Sequence, residues 1–358
     1  MVVTGMKEEV FSSPRLSDSR ERFNGVVVIG GANIDFRGKP VGEVLDRHTS
    51  NPGKINVSSG GVGRNIAHNL ALLNVPVTLL SAVGDDGEGI RILEETGKAG
   101  VKLDQMIISG KYPTGIYLAI LDEKGEMEVA VSDMKILEEV TVDYLKSKAY
   151  LIKESKIVVM DTNIPEESIE YVVDLCNKVN VPLLIEPVSV EKAKKLSKTL
   201  DGSGKWTVDY ITPSRNELAS ISGMEIDDDQ DINIVNAAEE LKCRRVKNVI
   251  VTLGKRGIYV SYSGAGGSSE GEQDKTPGKG KFMAPYRGEV VDVTGAGDAL
   301  VAGLVYGIYK GYSIEVAARF GLGAAALTIS TKEAVRRDLR EGLLRSRIEE
   351  EKEKGGLL

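Results

Sequence analysis

The chain contains 358 residues, of which 41% are hydrophobic, and its formal net charge is −7. This length accommodates one large α/β domain or two smaller domains, and an acidic chain without a basic stripe argues against a nucleic-acid partner. Its two cysteines (Cys176, Cys243) are too far apart for a disulfide framework or a zinc site, and its two histidines (His48, His68) are too few for a histidine-rich metal centre.

The first 24 residues are polar and of mixed charge, without the apolar core of a secretory signal. We therefore expect a flexible N-terminal tail over residues 1–24. No apolar run elsewhere reaches transmembrane length, so no membrane partner is expected. The cysteine usage indicates a reducing compartment and favours the cytoplasm. The C-terminal Gly356-Leu357-Leu358 is not a Ser-Lys-Leu signal, and the peroxisome stays an alternative.

Short apolar runs recur along the chain and predict buried parallel strands. The first covers residues 25–31, ends in Gly30-Gly31 and is expected to deliver a loop to a binding site. Further strands are predicted over 77–83, 157–160, 182–185, 210–212 and 248–252, and helices over 64–73, 166–178 and 234–243. This alternation predicts an α/β domain over 25–345 with a doubly wound, mainly parallel sheet, helices on both faces and ligands at the carboxyl strand ends. A C-terminal tail is expected over 346–358, in which the charged stretch up to Lys354 is either a helix tip or a frayed end.

Two regions, 36–59 and 112–133, have alternating strand patterns without helices. From the pattern alone they could extend the main sheet as a meander or form a small sheet of their own. A third region, 262–281, is rich in Gly, Ser and charge and predicts a mobile surface loop. Its glycines resemble a phosphate loop only superficially, because no apolar helix follows them.

The most informative segment is Val291–Leu304, in which a Gly-rich turn is followed by one acid and a helix of small residues. The N–H groups of Gly295, Ala296 and Gly297 are expected to converge on an anion at the helix N-terminus. A bound phosphate would repel a neighbouring carboxylate, so Asp298 is explained best as a general base facing a hydroxyl that attacks phosphorus. The alternative is an ordinary helix cap by Asp298 on a Gly turn.

This segment resembles the second signature of the ribokinase-like (PfkB) sugar and nucleoside kinases. Residues 59–73, Ser-Gly-Gly-Val-Gly-Arg-Asn-Ile-Ala-His-Asn-Leu-Ala-Leu-Leu, resemble their first signature, and the similarity covers about 24–345. Within the family, residues 30–38, 50–67 and 186–189 are most similar to pseudouridine kinases. The resemblance implies a ribokinase-like fold in which 36–59 and 112–133 form a β-sheet lid, and ATP-dependent phosphorylation of the ribose 5′-hydroxyl of pseudouridine.

The resemblance also implies an acceptor site at the ends of the early strands. Asp35 would accept hydrogen bonds from two sugar hydroxyls, Gly60 and Gly61 would let the sugar approach the backbone, and Asn65 would bind the sugar. Alternatively, Asp35 belongs to a turn and Asn65 is an exposed helix residue. The base of pseudouridine carries an extra ring N–H, for which the candidates are Asn33, Lys135 and Asn163. Asn33 could instead only shape its loop.

On the nucleotide side, Thr252, Gly254 and Gly257 resemble the family's turn beside ATP. Thr294 lies in the Gly-rich turn over residues 294–297, which we call the anion loop. Residues 212–217, Thr-Pro-Ser-Arg-Asn-Glu, resemble a motif whose acid organises Mg²⁺ through water. Glu217 matches that acid, whereas Ser214 stands where Asn is usual, which puts its contact in doubt. The alternative for this pair is a helix capping box.

The resemblance also suggests a site for a monovalent cation and a role for one further acid. Asp292 and Ser330 could bind a monovalent cation, K⁺, beside the anion loop. Glu186 follows a predicted strand and could influence Mg²⁺ or the lid, or cap its Pro-containing turn. Magnesium itself is expected through ATP, since it keeps water and phosphate ligands.

Other functions are open at this point. The acceptor could be ribose, adenosine, uridine or another nucleoside or sugar. An NAD-dependent Rossmann oxidoreductase is a weaker alternative, because the Gly30-Gly31 turn lacks the G-x-G-x-x-G pattern. A catalytically inactive binding protein is disfavoured by the intact Gly loop and Asp298. Lid strands can pair between two copies, so a homodimer through the lid is a further hypothesis.

Overall fold

The first strand of the protein is apolar on both of its faces because two layers of helices cover it. In the computed structural model, which describes residues 23–41, 45, 48–122, 125, 127–203, 205–227, 230–262 and 279–353, all side chains of Val26–Ile29 are buried. Val26 and Val28 belong to one apolar core, and Val27 and Ile29 belong to a second core on the opposite face. A continuous apolar run is therefore required here, as in other parallel sheets with covered faces.

Strands and helices alternate through much of the chain. The strands are β1 (Val26–Ile29), β2 (Asn33–Pro40), β3 (Gly53–Gly60), β4 (Val77–Leu80), β5 (Ala82–Gly84), β6 (Ile107–Ser109), β7 (Gly115–Leu121), β8 (Met127–Asp133), β9 (Ile157–Asp161), β10 (Leu183–Glu186), β11 (Val208–Ile211), β12 (Val246–Thr252), β13 (Ile258–Tyr262) and β14 (Lys279–Met283). The α-helices are α1 (Val62–Leu72), α2 (Gly87–Lys98), α3 (Val142–Ser147), α4 (Ala149–Glu154), α5 (Glu166–Val179), α6 (Val190–Ala193), α7 (Arg215–Ser222), α8 (Asp231–Cys243), α9 (Ala296–Tyr309), α10 (Ile314–Thr328) and α11 (Glu341–Glu353).

The main sheet has the strand order β14-β13-β12-β11-β10-β9-β1-β4. The pairs from β4 to β12 are parallel, whereas β13 and β14 are antiparallel additions at one edge. The predicted doubly wound, mainly parallel α/β sheet is confirmed. The strand predicted over 77–83 divides after Leu80, because the chain turns away and Ala82–Gly84 pairs with Ile107–Ser109 in a separate two-stranded sheet.

The strand order also locates the binding crevice. β1 lies between β4, which follows it through α1, and β9, from which the sheet continues in the opposite direction. In open α/β sheets, ligands bind at such a switch point, outside the carboxyl ends of the strands. The loops after β1 and β9 are therefore expected to form the floor of the site.

Regions 36–59 and 112–133 form a small sheet with the order β3-β2-β7-β8, so they do not extend the main sheet. This sheet is longer than predicted, since β2 begins at Asn33 and β3 reaches Gly60. The strand register puts Phe36 beside Val57 and Leu118 on one apolar face, and Asp35 beside Ser58 and Tyr117 on the other. The small sheet therefore has a polar face and an apolar face.

The C-terminal end of the chain is helical over much of the predicted tail. Helix α11 continues to Glu353, so residues 346–353 form the charged helix tip and not a frayed tail. Residues 1–22 of the predicted N-terminal tail and residues 263–278 of the predicted surface loop lie outside the described residues. Within the described ranges, no helix combines the length and the apolar character needed to span a membrane.

Candidate active site

The anion loop after Asp292 ends at the start of α9. Gly295 is the helix N-cap with φ 75°, and a Cβ at this position would collide with the carbonyl group of Ala334, so only glycine fits. Hydrogen bonding inside the helix begins with Ala299 N–H to the Gly295 carbonyl at 2.9 Å. The N–H group of Ala296 closes a turn onto Val293 O at 3.2 Å, so it is not part of an open cradle.

The remaining N–H groups of this turn suit an anion. Those of Gly295, Gly297 and Asp298 have no acceptor among the described residues. They lie at the N-terminal end of α9, where the helix dipole favours negative charge. The geometry therefore leaves N–H groups for the predicted anion, and the N–H of Asp298 takes the place of that of Ala296.

Asp298 occupies the third position of α9 and does not cap the helix, so the alternative reading is wrong. Its Oδ2 accepts a hydrogen bond from Nδ2 of Asn65 at 2.8 Å, which joins the two sequence signatures. Burial raises the pKa of Asp298 to about 7; the Asn65 hydrogen bond opposes this change, and the charges of Asp161 and Asp35 add to it. A carboxylate with this pKa can accept a proton near neutral pH.

The acceptor-side carboxylate Asp35 lies on β2 rather than in a turn. Its Oδ1 accepts a hydrogen bond from Nδ2 of Asn33 at 2.7 Å, and burial raises its pKa. Gly60 lies close to it across the sheet, where a Cβ would meet the Asp35 carboxylate. Gly61, Asn65 and the loop after β1 are adjacent, since Arg64 N–H donates to Gly31 O at 2.9 Å and Asn65 N–H to Gly61 O at 2.8 Å. The structure thus brings the predicted acceptor residues together.

Asp161 at the end of β9 is a site residue that sequence reasoning missed. Its Oδ2 accepts hydrogen bonds from the N–H groups of Gly31 and Gly63, both at 2.8 Å, and its Oδ1 accepts from Asn163 N–H at 2.8 Å. The side chain is 1% exposed. One carboxylate therefore ties the loop after β1 to the start of α1 and to the loop after β9. The available signal was that Asp161 is the first polar residue after the predicted strand 157–160.

Asn163, a predicted acceptor residue, is paired through its amide oxygen with Nζ of Lys192. Since an ammonium group only donates, the Asn163 amide has its NH₂ group left for a ligand. The amide oxygen has a second lone pair, so it can still accept a ring N–H of the base beside Lys192. Lys135 is exposed and lies over the ring of Tyr112 at 5.6 Å from the centroid. Lys135 has donors only and does not support a contact with the ring N–H, whereas the contact of Asn163 with the base stays a prediction.

The predicted nucleotide-binding turns are adjacent at the ends of β11 and β12. Thr252 N–H donates to Pro213 O at 2.9 Å, which joins the turn that contains Gly254 and Gly257 to residues 212–217. Ser214 and Glu217 form the capping box of α7: Ser214 N–H donates to Glu217 Oε2 at 2.7 Å and Glu217 N–H to Ser214 Oγ at 3.4 Å. The structural alternative for this pair, the capping box, is therefore correct, and a Mg²⁺ role for Glu217 stays a prediction.

Three carboxylates face the same region between these turns and α9. Burial raises the pKa of Glu186 well above its ordinary value, and the charges of Glu217 and Asp298 raise it further. Thr212 Oγ1 donates a hydrogen bond to Glu186 Oε2. In the described part of the chain, no three His, Cys, Asp or Glu side chains form a metal cage. Mutually repelling carboxylates suit a hydrated Mg²⁺ that is held mainly by phosphate.

The two predicted ligands of a monovalent cation are already paired with arginines. Asp292 Oδ2 lies 3.4 Å from Nη1 of Arg37, which also donates to Thr294 Oγ1 at 2.9 Å. Ser330 Oγ accepts from Nη1 of Arg336 at 3.0 Å and donates to Leu327 O at 2.8 Å. These donor sets do not fit a K⁺ ion. Arg37, which sequence reasoning missed, instead connects the polar face of the small sheet to the anion loop.

An open cleft of about 1420 Å³ lies under the polar face of the small sheet. Its walls include Asp35, Arg37 and Tyr117 from that sheet, Arg64 from α1 and Thr294 from the anion loop. This volume is sufficient for a nucleoside with phosphate groups beside it. The small sheet therefore lies over the site, as a lid would.

Comparison with known proteins agrees with this geometry. A family model described as pfkB family carbohydrate kinase matches residues 24–339. The pseudouridine kinase of Escherichia coli (strain K12) is 36% identical over 305 residues, which are 85% of this chain and 90% of that protein. A carbohydrate kinase structure from Agrobacterium tumefaciens has a TM-score of 0.72 at 26% identity and covers 91% of this chain and 97% of its own. Arabidopsis thaliana ribokinase, solved with ribose and ATP, has a TM-score of 0.73 at 24% identity, covers 91% of this chain and 98% of its own, and shows the same fold.

Proposed function

The chain belongs to the pfkB family of carbohydrate kinases, and from this premise we propose that it transfers the γ-phosphoryl group of ATP to the ribose 5′-hydroxyl of pseudouridine. The family and the relatives make it a sugar or nucleoside kinase. The observation that carries the proposed chemistry is the hydrogen bond from Asn65 to Asp298 at 2.8 Å, beside N–H groups of the anion loop that have no acceptor in the described part of the chain. An NAD-dependent oxidoreductase is wrong, since the chain after Gly31 enters strand β2 and not a helix that could bind a pyrophosphate.

The reaction follows from the placement of these groups. The 5′-oxygen attacks the γ-phosphorus, its proton passes to Asp298 Oδ, an O–P bond forms, and the bond to the leaving ADP oxygen breaks. Such transition states are loose, so alignment and charge stabilisation contribute more than base strength. Asp35 holds the sugar hydroxyls, and the N–H groups of Gly295 and Gly297 stabilise charge on the phosphoryl oxygens.

We propose ATP with Mg²⁺ as the donor, because the carboxylates of Glu186 and Glu217 suit a hydrated divalent ion. When bound, Mg²⁺ neutralises phosphate charge. Glu217 would act through water, since one of its oxygens already accepts from Ser214 N–H. Ser214, Thr252, Gly254 and Gly257 would border the nucleotide in the two adjacent turns. A K⁺ requirement is not part of the proposal.

Selection of pseudouridine needs an acceptor for the extra ring N–H. Asn33 is 4% exposed, and its NH₂ group is bonded to Asp35. Its amide oxygen accepts no hydrogen bond from the described residues, so it can accept one from the base. The 36% identity to a pseudouridine kinase supports the same acceptor. Sites that hydrogen-bond a substrate N–H discriminate against analogues that lack it.

The test of the acceptor is a parallel comparison of kcat/KM with ATP, Mg²⁺ and KCl for pseudouridine, uridine, cytidine, adenosine, ribose and fructose. Pseudouridine should exceed uridine by about tenfold or more, which corresponds to roughly 1.4 kcal/mol. Asn33→Ala should remove most of this ratio while ribose phosphorylation changes less. If ribose or adenosine leads, the pseudouridine assignment is wrong and the kinase chemistry remains. If no acceptor is phosphorylated, the acceptor belongs to another class.

We also propose that the small sheet is a lid and that its apolar face pairs two copies of the chain. Ile55, Leu118, Val129 and Val131 are 41–70% exposed although they are large and apolar. Val131→Lys should convert a dimer to a monomer in size-exclusion chromatography with light scattering. A wild-type protein that is monomeric at every concentration would exclude this assembly.

A further inference from the structure

We infer that Arg64 is a positioning residue for phosphoryl transfer: it fixes the side-chain amide of Asn65 so that the NH₂ group of Asn65 faces Asp298. This inference rests on the proposed role of Asp298 as the base. Arg64 is the residue before Asn65 in the first signature, and among the described residues its side chain donates no hydrogen bond to the anion loop. Its effect on the reaction therefore has to pass through its neighbours.

The geometry of two consecutive hydrogen bonds carries the inference. Arg64 Nη1 donates to Asn65 Oδ1 at 3.0 Å, and Asn65 Nδ2 donates to Asp298 Oδ2 at 2.8 Å. A guanidinium group has donors only, so the oxygen of the amide must face Arg64. The NH₂ group must then face Asp298. Without Arg64 the amide is held in this orientation only by its hydrogen bond to Asp298, so its position relative to the carboxylate is less well fixed.

Arg64 can impose this orientation because it is itself held rigidly. It is 3% exposed, and Nε donates to Thr96 Oγ1 at 2.9 Å while Nη1 also donates to Ser59 O at 3.0 Å. Nη2 lies 2.9 Å from Nδ1 of His68. Burial and the charge of Arg64 lower the pKa of His68 to about 3, so His68 is neutral and its Nδ1 accepts this hydrogen bond. The guanidinium group is thus fixed from three sides.

The partners that hydrogen-bond to Arg64 in the described structure are uncharged. Its counter-charges act through space and are the carboxylates of Glu95, Asp35 and Asp298. Two of these three belong to the proposed site. A buried cation is costly unless it is compensated by negative charge. The charge of Arg64 accordingly favours the ionised forms of both Asp35 and Asp298. It lowers the pKa of Asp298, whereas the surrounding carboxylates raise it.

The charged groups that face Asp298 are Asp161 from β9, Asp35 from β2, Glu186 from β10 and Arg64 from α1. Arg64 is the cation of this set. Its removal is therefore expected to raise the pKa of Asp298, and the Asn65 hydrogen bond would weaken at the same time. The acidic limb of the profile of kcat against pH should then move to higher pH, and alkaline solution should restore part of the lost rate.

The experiment is a double-mutant cycle with Arg64→Met and Asn65→Ala, assayed with ATP, Mg²⁺ and pseudouridine between pH 5.5 and about 9.5. Arg64→Met should lower kcat at neutral pH by about ten- to a hundredfold, the value of one hydrogen bond to a charged group. Calorimetric ATP affinity should stay within about twofold. In the Asn65→Ala background, Arg64→Met should cost less than about threefold, because the path to Asp298 is already lost.

Two further variants keep the test decisive. Arg244→Met is the matched control: Arg244 is half-buried and bonds to Glu240, to Ile221 O and to Ser222 O, and it is not among the residues that line the cleft. It should leave kcat and the acidic limb within about twofold and 0.2 pH unit of wild type. If Arg64→Met does not fold, Arg64→Lys takes its place, since lysine retains the charge but lacks the planar fork of donors that reaches Asn65, Ser59 and Thr96 together. It should then lower kcat without moving the acidic limb.

Equal losses from Arg64→Met with and without Asn65, together with an unmoved acidic limb, would overturn the inference. The proposed function fails by a different result. If Asp298→Asn retains wild-type turnover, Asp298 is not the base, whatever Arg64 does. If Asp298→Asn is inactive and the cycle is additive, the kinase mechanism holds and only the role of Arg64 is wrong.

Discussion

Replacing Asp298 by asparagine should abolish phosphoryl transfer and at the same time stabilise the folded protein. The amide has nearly the same shape, and its oxygen can still accept the hydrogen bond from Asn65, so binding of ATP and acceptor should change little. Loss of a general base typically lowers the rate about a hundred- to ten-thousandfold. In the wild type, kcat should fall about tenfold per pH unit below the Asp298 pKa of about 7.

The stabilisation follows from the same pKa. The ordinary value is 3.8 and the folded value is about 7, so the native state binds this proton more tightly than the unfolded state. Stability is therefore lost as pH rises from about 4 to 7, and the loss is complete above that window. One pKa unit is worth about 1.36 kcal/mol, which gives up to about 4 kcal/mol. The side chain is partly exposed, so about 2–4 kcal/mol is expected.

Urea unfolding of both proteins at pH 5 and pH 8 measures this difference. The free energy of unfolding of Asp298→Asn should exceed that of the wild type by a larger amount at pH 8 than at pH 5. Other titrating groups cancel in this comparison, since they are common to both proteins. A difference that is the same at both values would refute the raised pKa, and turnover above about a tenth of wild type would refute Asp298 as the base.

Three further outcomes are expected. Asp35→Ala should weaken acceptor binding by about 1.5–3 kcal/mol, the value of a hydrogen bond to a charged group. The ATP affinity measured by calorimetry should stay unchanged. Weaker ATP binding with unchanged acceptor binding would show that the acceptor and nucleotide sites are assigned the wrong way round. Asp161→Ala should lower the free energy of unfolding by about 3 kcal/mol or more, because three backbone N–H groups lose their acceptor, and an unchanged urea midpoint would contradict this. Arg37 and Arg336 pair with Asp292 and Ser330, the predicted cation ligands. Replacing KCl by choline chloride at constant ionic strength should therefore change kcat less than about twofold. A loss of about tenfold would show that a K⁺ site forms during turnover.

The sequence was sufficient for residues whose role is local. Asp298 follows a Gly turn at a helix start, and the backbone conformation of Gly295 is a property of that turn alone. Asp35 was identified because it closely follows a buried strand. The regions 36–59 and 112–133 were recognised by their alternation, although the pattern could not decide between one sheet and two. The capping box of Ser214 and Glu217 was also predictable, because the two residues are three positions apart.

Contacts between distant segments were not predictable in the same way. Asp161 acts on Gly31 and Gly63, which are 130 and 98 positions away, and nothing in the local pattern names those partners. Arg37 meets Thr294 across 257 positions. Such contacts depend on the strand order and on how the small sheet lies over the main sheet. The sequence shows only that a polar residue ends a strand, which was equally true of Asp35.

The switch point explains why these distant groups meet. The chain leaves β1 towards β4 and later returns on the other side at β9, so the loops after β1 and β9 separate and leave a crevice between them. Asp161 spans that crevice and holds the start of α1 against the loop after β1. Asn65, one turn further along α1, is thereby brought to Asp298 at the start of α9. A carboxylate that is needed for structure consequently lies close enough to raise the pKa of the proposed base, so the same fold that assembles the site also adjusts its chemistry to neutral pH.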